Sequence, residues 1–138
     1  MRIVLFMTRG MSLAAWEKNG SLERELALYA ELAKYGCKTT IISWGDKQDK
    51  IIANRYPWLK VCANTWNLSQ RRYEQLMPVL HAAHLIRADL IKSNQAKRRL
   101  CLALCTTVAK TFHCPLWLYL ESAERRYGEI RCLSSSKN

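Results

Sequence analysis

Apolar residues along this chain alternate between short continuous runs and helical stripes. The run Arg2-Ile3-Val4-Leu5-Phe6-Met7 reads as a strand. It passes through Gly10 and Gly20 into Leu22–Tyr35, where Leu22, Leu26, Tyr29, Leu32 and Ala33 recur at helical spacing. Glu23, Glu25, Glu31 and Lys34 fall largely outside that stripe, the two glutamates of the first turn suit the helix dipole, and Gly36 fits the residue just past the helix end. A strand, a glycine-bearing loop and an amphipathic helix form the first unit of a doubly wound α/β domain, whose ligand crevice lies at the loop after the strand.

The same alternation continues. Cys37–Trp44 is β-branched at Thr39-Thr40-Ile41-Ile42 and bounded by Gly36 and Gly45, which predicts a second strand, parallel to the first across a right-handed crossover. A polar stretch follows, with a short helix predicted over Asp49–Arg55 and ended by Pro57, then a short third strand, Trp58–Cys62. Ser69–Ile86 carries Leu76, Val79, Leu80, Ala83 and Leu85 or Ile86 at helical spacing, with Ser69 as N-cap and Pro78 expected either to kink the helix or to delay it. Ala88–Lys92 is a fourth strand entering the polar turn Ser93-Asn94-Gln95, Ala96–Phe112 a helix, and Pro115–Leu120 the last strand. The expected fold is α/β, a Rossmann-like doubly wound parallel sheet of about five strands with helices on both faces. It spans residues 1–122, and the polar residues 123–138 read as a disordered tail.

Composition narrows this picture. With 138 residues, 49% of them hydrophobic, the chain can bury one modest core. No apolar run approaches the roughly 20 residues that cross a bilayer, and the opening run is too brief for a signal peptide, so a cytoplasmic location is expected, with peripheral contact at the inner membrane face. The formal charge of +11, from 22 Lys and Arg against 11 Asp and Glu, calls for an anionic partner: nucleic acid, an anionic membrane surface or a phosphate-bearing ligand. Arg71-Arg72, Lys97-Arg98-Arg99 and Arg125-Arg126 interleave with Trp66 and Tyr73, yet no helix-turn-helix, RNP-like motif or zinc knuckle organises them, so nucleic acid ranks behind the others.

Candidate chemistry centres on the first loop, Thr8 to Gly20. Neither GxGxxG nor the Walker A pattern is present, which argues against a dinucleotide or P-loop site. Met11, Leu13 and Trp16 offer apolar surface to a sugar or lipid, with Arg9 and Lys18 as phosphate contacts; Trp16 reads equally well as a cap on the core. The six cysteines form no CxxC pair; Cys101 and Cys105 share a helix face, and small buried thiols explain them better than a metal or disulfides. His81 and His84 stand three apart with no third ligand indicated, which points to surface or half-buried roles. No metal and no catalytic residue is assigned.

Some of these residues also form a longer pattern. Ser12 to Gly20, then Glu23-Arg24-Glu25, Leu28-Tyr29, Gly36 and Ser43-Trp44-Gly45, resemble the start of two-domain retaining glycosyltransferases of the GT-B fold and family-four type. Ala88 to Gln95 is similar to the segment carrying that family's fourth strand and following turn. The resemblance spans roughly the first 120 residues and implies an acceptor-side domain acting in polysaccharide or lipid-linked glycan synthesis. It implies no cofactor, only a nucleotide-sugar co-substrate held by a C-terminal donor-binding domain. Because the sequence stops at Asn138, the resemblance implies a fragment, or a split enzyme with a donor-binding partner chain, inactive alone. The implied contacts to a glycan or lipid-linked acceptor are Arg9, Gly10, Ser12, Trp16, Lys18 and Gly20 in the first loop and Ser93, Asn94 and Gln95 in the second. The alternative reading is a non-catalytic basic module for nucleic acid or an anionic membrane surface.

Overall fold

A computed structural model of the chain describes residues 1–93 and the backbone of 116–119. In chain order the elements are β1 (Arg2–Phe6), α1 (Leu13–Lys18), α2 (Leu22–Lys34), β2 (Lys38–Ile42), α3 (Lys47–Ala53), β3 (Leu59–Cys62), α4 (Gln70–Leu80), α5 (Ala82–Ile86), β4 (Leu90–Ser93) and β5 (Leu116–Tyr119). The strands of the first 93 residues lie in the order β3-β2-β1-β4, all parallel, and β5 pairs parallel to β4 outside them. The expected α/β class with a parallel sheet is what the chain adopts.

The continuous apolar run of β1 follows from its central place, because a parallel strand covered on both faces has no solvent side. Ile3, Leu5 and Met7 pack on one face with Leu13 and Trp16 of α1, Leu22, Leu26 and Tyr29 of α2 and Ile52 of α3. Val4 and Phe6 pack on the other with Ile91 of β4, Tyr73 and Met77 of α4 and Leu85 of α5. Helices therefore cover both faces.

Three expectations are corrected. The first loop is not open from Thr8 to Gly20, because Ser12 caps a short helix inside it: the Ser12 Oγ accepts from Ala15 N at 3.0 Å. The predicted Ser69–Ile86 helix is two helices. The chain leaves helical geometry at His81 (φ −113°) and restarts as α5, whereas Pro78 lies inside α4, where it lacks the N–H that would reach back one turn but does not end the helix. The side of α4 that packs also differs from the Leu76–Val79 stripe. Tyr73, Glu74, Met77 and Pro78 are buried, whereas Leu76 and Val79 are 44% and 73% exposed. The predicted Ala96–Phe112 helix, the tail, Asn94 and Gln95, and Cys101, Cys105, Cys114 and Cys132 lie outside the described residues.

Candidate functional site

In an open parallel sheet the crevice forms outside the C-terminal strand ends, where the connections turn to opposite sides. Here β2 and β3 lie to one side of β1 and β4 to the other, so that point falls between β1 and β4. Phe6 stands opposite Ser93, which brings the Thr8–Ser12 loop and the end of β4 to one edge.

The walls of this edge are built by side chains that tie neighbouring loops together. Asp49, fully buried on α3, accepts from Leu13 N at 3.1 Å with Oδ2 and from Ala14 N at 3.0 Å with Oδ1. The Ser43 hydroxyl also donates to Asp49 Oδ2, and Gly45 N donates to Ser43 Oγ at 2.9 Å. One carboxylate thus closes the start of α1, the end of β2 and α3 around itself. Gly45 is required by this arrangement: a Cβ there would collide with the Asp49 carboxylate. Trp44 adds a further tie, its Nε1 donating to Met7 O at 3.2 Å. Ser43, Trp44 and Gly45, which carried part of the resemblance, therefore act as joinery between β1, β2 and α3.

Chemically, the result is that the amides at the first strand-to-helix turn, where a dinucleotide fold would receive its pyrophosphate, already hold an internal anion. Sequence reading missed Asp49 because α3 looked polar. The available signal was its spacing, three and four residues before Ile52 and Ala53, on the helix side that turned out to be buried.

Arg9 occupies the other side of the loop. Its Nη1 lies 3.5 Å from Glu74 Oε2 of α4, and its guanidinium carbon 5.9 Å from the centre of the Trp44 ring. Its Nε is buried without a hydrogen-bond partner among the described residues. Beneath it, Trp44 meets Tyr73 edge-on at 5.6 Å, and the Tyr73 hydroxyl lies 2.9 Å from Nε2 of His81. His81 is buried rather than surface or half-buried, correcting the expectation. Burial, and secondarily His84, lowers its pKa to about 4, so the ring is neutral near pH 7. Cys62, at the end of β3, has its thiol pushed up by burial, which keeps it protonated and a poor nucleophile.

Of the other residues singled out from sequence, Gly10 has φ +78°, and the nearest atom to a Cβ there would be Gln70 Nε2 at 3.9 Å, so it supplies the turn and leaves space above the loop. Ser12 belongs to this edge, and with Trp44, Asp46, Gln48, Asn64 and Asn67 it lines an open cleft of about 640 Å³. Ser93 is buried at the end of β4. Trp16 is in the core at 8% exposure, in agreement with the packing role. Lys18 and Gly20 follow at the far end of α1, roughly 9 Å along the helix axis from Ser12, and are not gathered with the others. Asn64 anchors the β3–α4 connection, donating from Nδ2 to Leu68 O at 2.7 Å and accepting from Leu68 N at 3.1 Å.

Among the described residues no three His, Cys, Asp or Glu side chains converge as metal ligands, and no helix is long and apolar enough to cross a membrane. Comparison of the chain with protein-family models, with curated proteins and with solved structures finds no match.

Proposed function

We propose that this chain is the Rossmann-like acceptor-side domain of a glycosyltransferase acting in polysaccharide or glycolipid synthesis, with the nucleotide-sugar held by a separate donor-binding domain or partner chain. The observation that carries the reading is the division of labour at the C-terminal edge. Asp49 fills the helix-start amides that would otherwise take a nucleotide pyrophosphate, while Arg9, across the loop, keeps 24% of its side chain exposed beside the Trp44 ring and has an Nε–H without a hydrogen-bond partner among the described residues.

An arginine whose charge is already met by Glu74 suits a neutral or singly charged ligand, since it contributes a directed hydrogen bond without demanding a second full counter-ion. Sugar hydroxyls and a phosphodiester oxygen of a lipid-linked acceptor meet that description. Ser12 retains its own O–H for donation because its oxygen serves as acceptor in the cap, and the exposed Gly10 backbone admits close approach.

The test is titration of the full chain with a detergent-solubilised polyprenyl-phosphate-linked sugar and, separately, with nucleotide-sugars, following tryptophan fluorescence because Trp44 lies under Arg9. Saturable binding of the lipid-linked sugar, weakened about tenfold by Arg9→Gln, the equivalent of about 1.4 kcal/mol, is expected. Binding of nucleotide-sugar in preference to the lipid-linked sugar at a site that Arg9→Gln weakens, or equal affinity of the lipid-linked sugar in the variant, would overturn the assignment.

A further inference from the structure

The opposite end of the sheet gathers a second set of polar groups. Strand register aligns Arg2 with Lys38, Val4 with Thr40, and Thr40 with Lys60. Side chains two apart on a strand share a face, and residues in register across parallel strands share it too. Arg2, Lys38 and Lys60 therefore lie on the face of Val4, the one covered by α4 and α5. Near the N-terminal strand ends that cover gives out, and His84 and Arg87, at the end of α5, border the gap. Together with Thr40 these five residues line a groove of about 900 Å³, walled on one side by Pro57 and Trp58.

The charge in this groove is not neutralised from within. Arg2, Lys38, Lys60 and Arg87 make no ion pair with another described residue. Asp89, whose carboxylate accepts from the Arg2 backbone N–H at 2.7 Å, brings one negative charge against the four positive ones and leaves the groove net cationic. The field is felt by His84: after burial, Lys60 and Arg87 are the causes that lower its pKa. Four cations held on three adjacent strands and a helix end are costly to keep together without an anion.

We propose that this groove binds a short phosphate chain, of di- or triphosphate length. The length follows from geometry, since Arg2 and Lys60 lie two strand spacings apart and two residues offset along the strands, roughly 12 Å between their backbone positions, a distance that a triphosphate bridges when long Lys and Arg side chains reach in to it. The shape argues against a membrane, because the cations border a concavity that a flat bilayer would not enter. The site is independent of the acceptor crevice, which lies at the other end of the strands.

The experiment is calorimetric titration of the full chain with inorganic tripolyphosphate at about 0.1 M salt. Lys60→Gln/Arg87→Gln removes two exposed charges from the groove and is expected to weaken binding at least tenfold. Lys47→Gln/Lys50→Gln removes the same charge from α3, outside the groove, and is expected to change it less than twofold. In parallel, the His84 ring, followed by NMR, is expected to titrate at higher pH when tripolyphosphate is bound, because the anion favours the imidazolium. ATP binding more tightly than tripolyphosphate would identify a nucleotide as the source of the phosphates, through the Pro57–Trp58 wall; equal affinity would identify the phosphate chain alone, and either result supports the site. Equal losses in the two double variants, an unmoved His84, or binding only to an oligonucleotide or to anionic vesicles would overturn it.

Discussion

Replacing Asp49 tests whether one buried carboxylate holds the C-terminal edge together. In Asp49→Ala, Leu13 N–H and the Ser43 hydroxyl lose their acceptor in buried surroundings, while Ala14 N–H, partly exposed, can turn to water. A buried donor left unsatisfied costs about 1–3 kcal/mol, so the two buried groups together predict a loss of about 2–6 kcal/mol, a large share of the roughly 5–15 kcal/mol that stabilises a typical domain. Asp49→Asn is the sharper probe. It preserves volume, but its NH2 group must face donors on one side or the other, because Oδ1 accepts from Ala14 N–H and Oδ2 from both Leu13 N–H and Ser43. The Asn variant should therefore lose at least about 1 kcal/mol despite being isosteric. Urea unfolding followed by circular dichroism, with stability taken from linear extrapolation, measures both. If Asp49→Asn unfolds within about 0.5 kcal/mol of the parent, the range of an ordinary surface substitution, the reasoning fails.

Gly45→Ala should destabilise on its own, because the new Cβ lands on the Asp49 carboxylate; combined with Asp49→Ala it should cost clearly less than the sum, as a double-mutant cycle in urea would show. His81 has a folded pKa of about 4, below the ordinary 6.5, so its contribution is fully present above pH 6.5 and is lost as pH falls toward 4; the change is on the order of 3 kcal/mol, and His81→Gln should flatten the slope of stability between pH 5 and 6.5, where few carboxylates titrate. On α4, Met77→Ala should cost about 2–5 kcal/mol because Met77 is fully buried, whereas Val79→Ala, two residues on and exposed, should stay within about 0.5 kcal/mol, both read from thermal or urea unfolding.

Much of the architecture was legible from residue pattern, because strands buried on both faces must be apolar throughout and amphipathic helices must repeat near 3.6 residues. Leu22, Leu26 and Tyr29 were read as one stripe and are buried together. The α4 stripe was misread for a physical reason: Leu76 and Val79 are more conspicuously apolar than Tyr73 and Met77, but helical spacing alone does not say which of two competing stripes meets the sheet. The α1 helix was hidden because a six-residue helix gains little from its own propensity and depends on its Ser12 cap and on packing of Leu13 and Trp16.

The line between local and global causes runs through the candidate site. Local covalent and steric rules, acting through neighbours in the chain, determined that β1 would be a buried strand, that Gly10 would turn the chain after it and that Gly36 would end α2. Which groups meet across the sheet was decided by tertiary structure alone. Asp49 reaches α1 from 36 residues away in sequence to Leu13, and Arg2, Lys38 and Lys60 share a face through the parallel register of three strands. Hydrogen-bond and charge energies depend on distance in space and on burial, neither of which is carried by spacing along the chain. Asp49 therefore looked in sequence like one acid on a polar helix, and in the folded chain it is the acceptor around which the edge of the sheet is built.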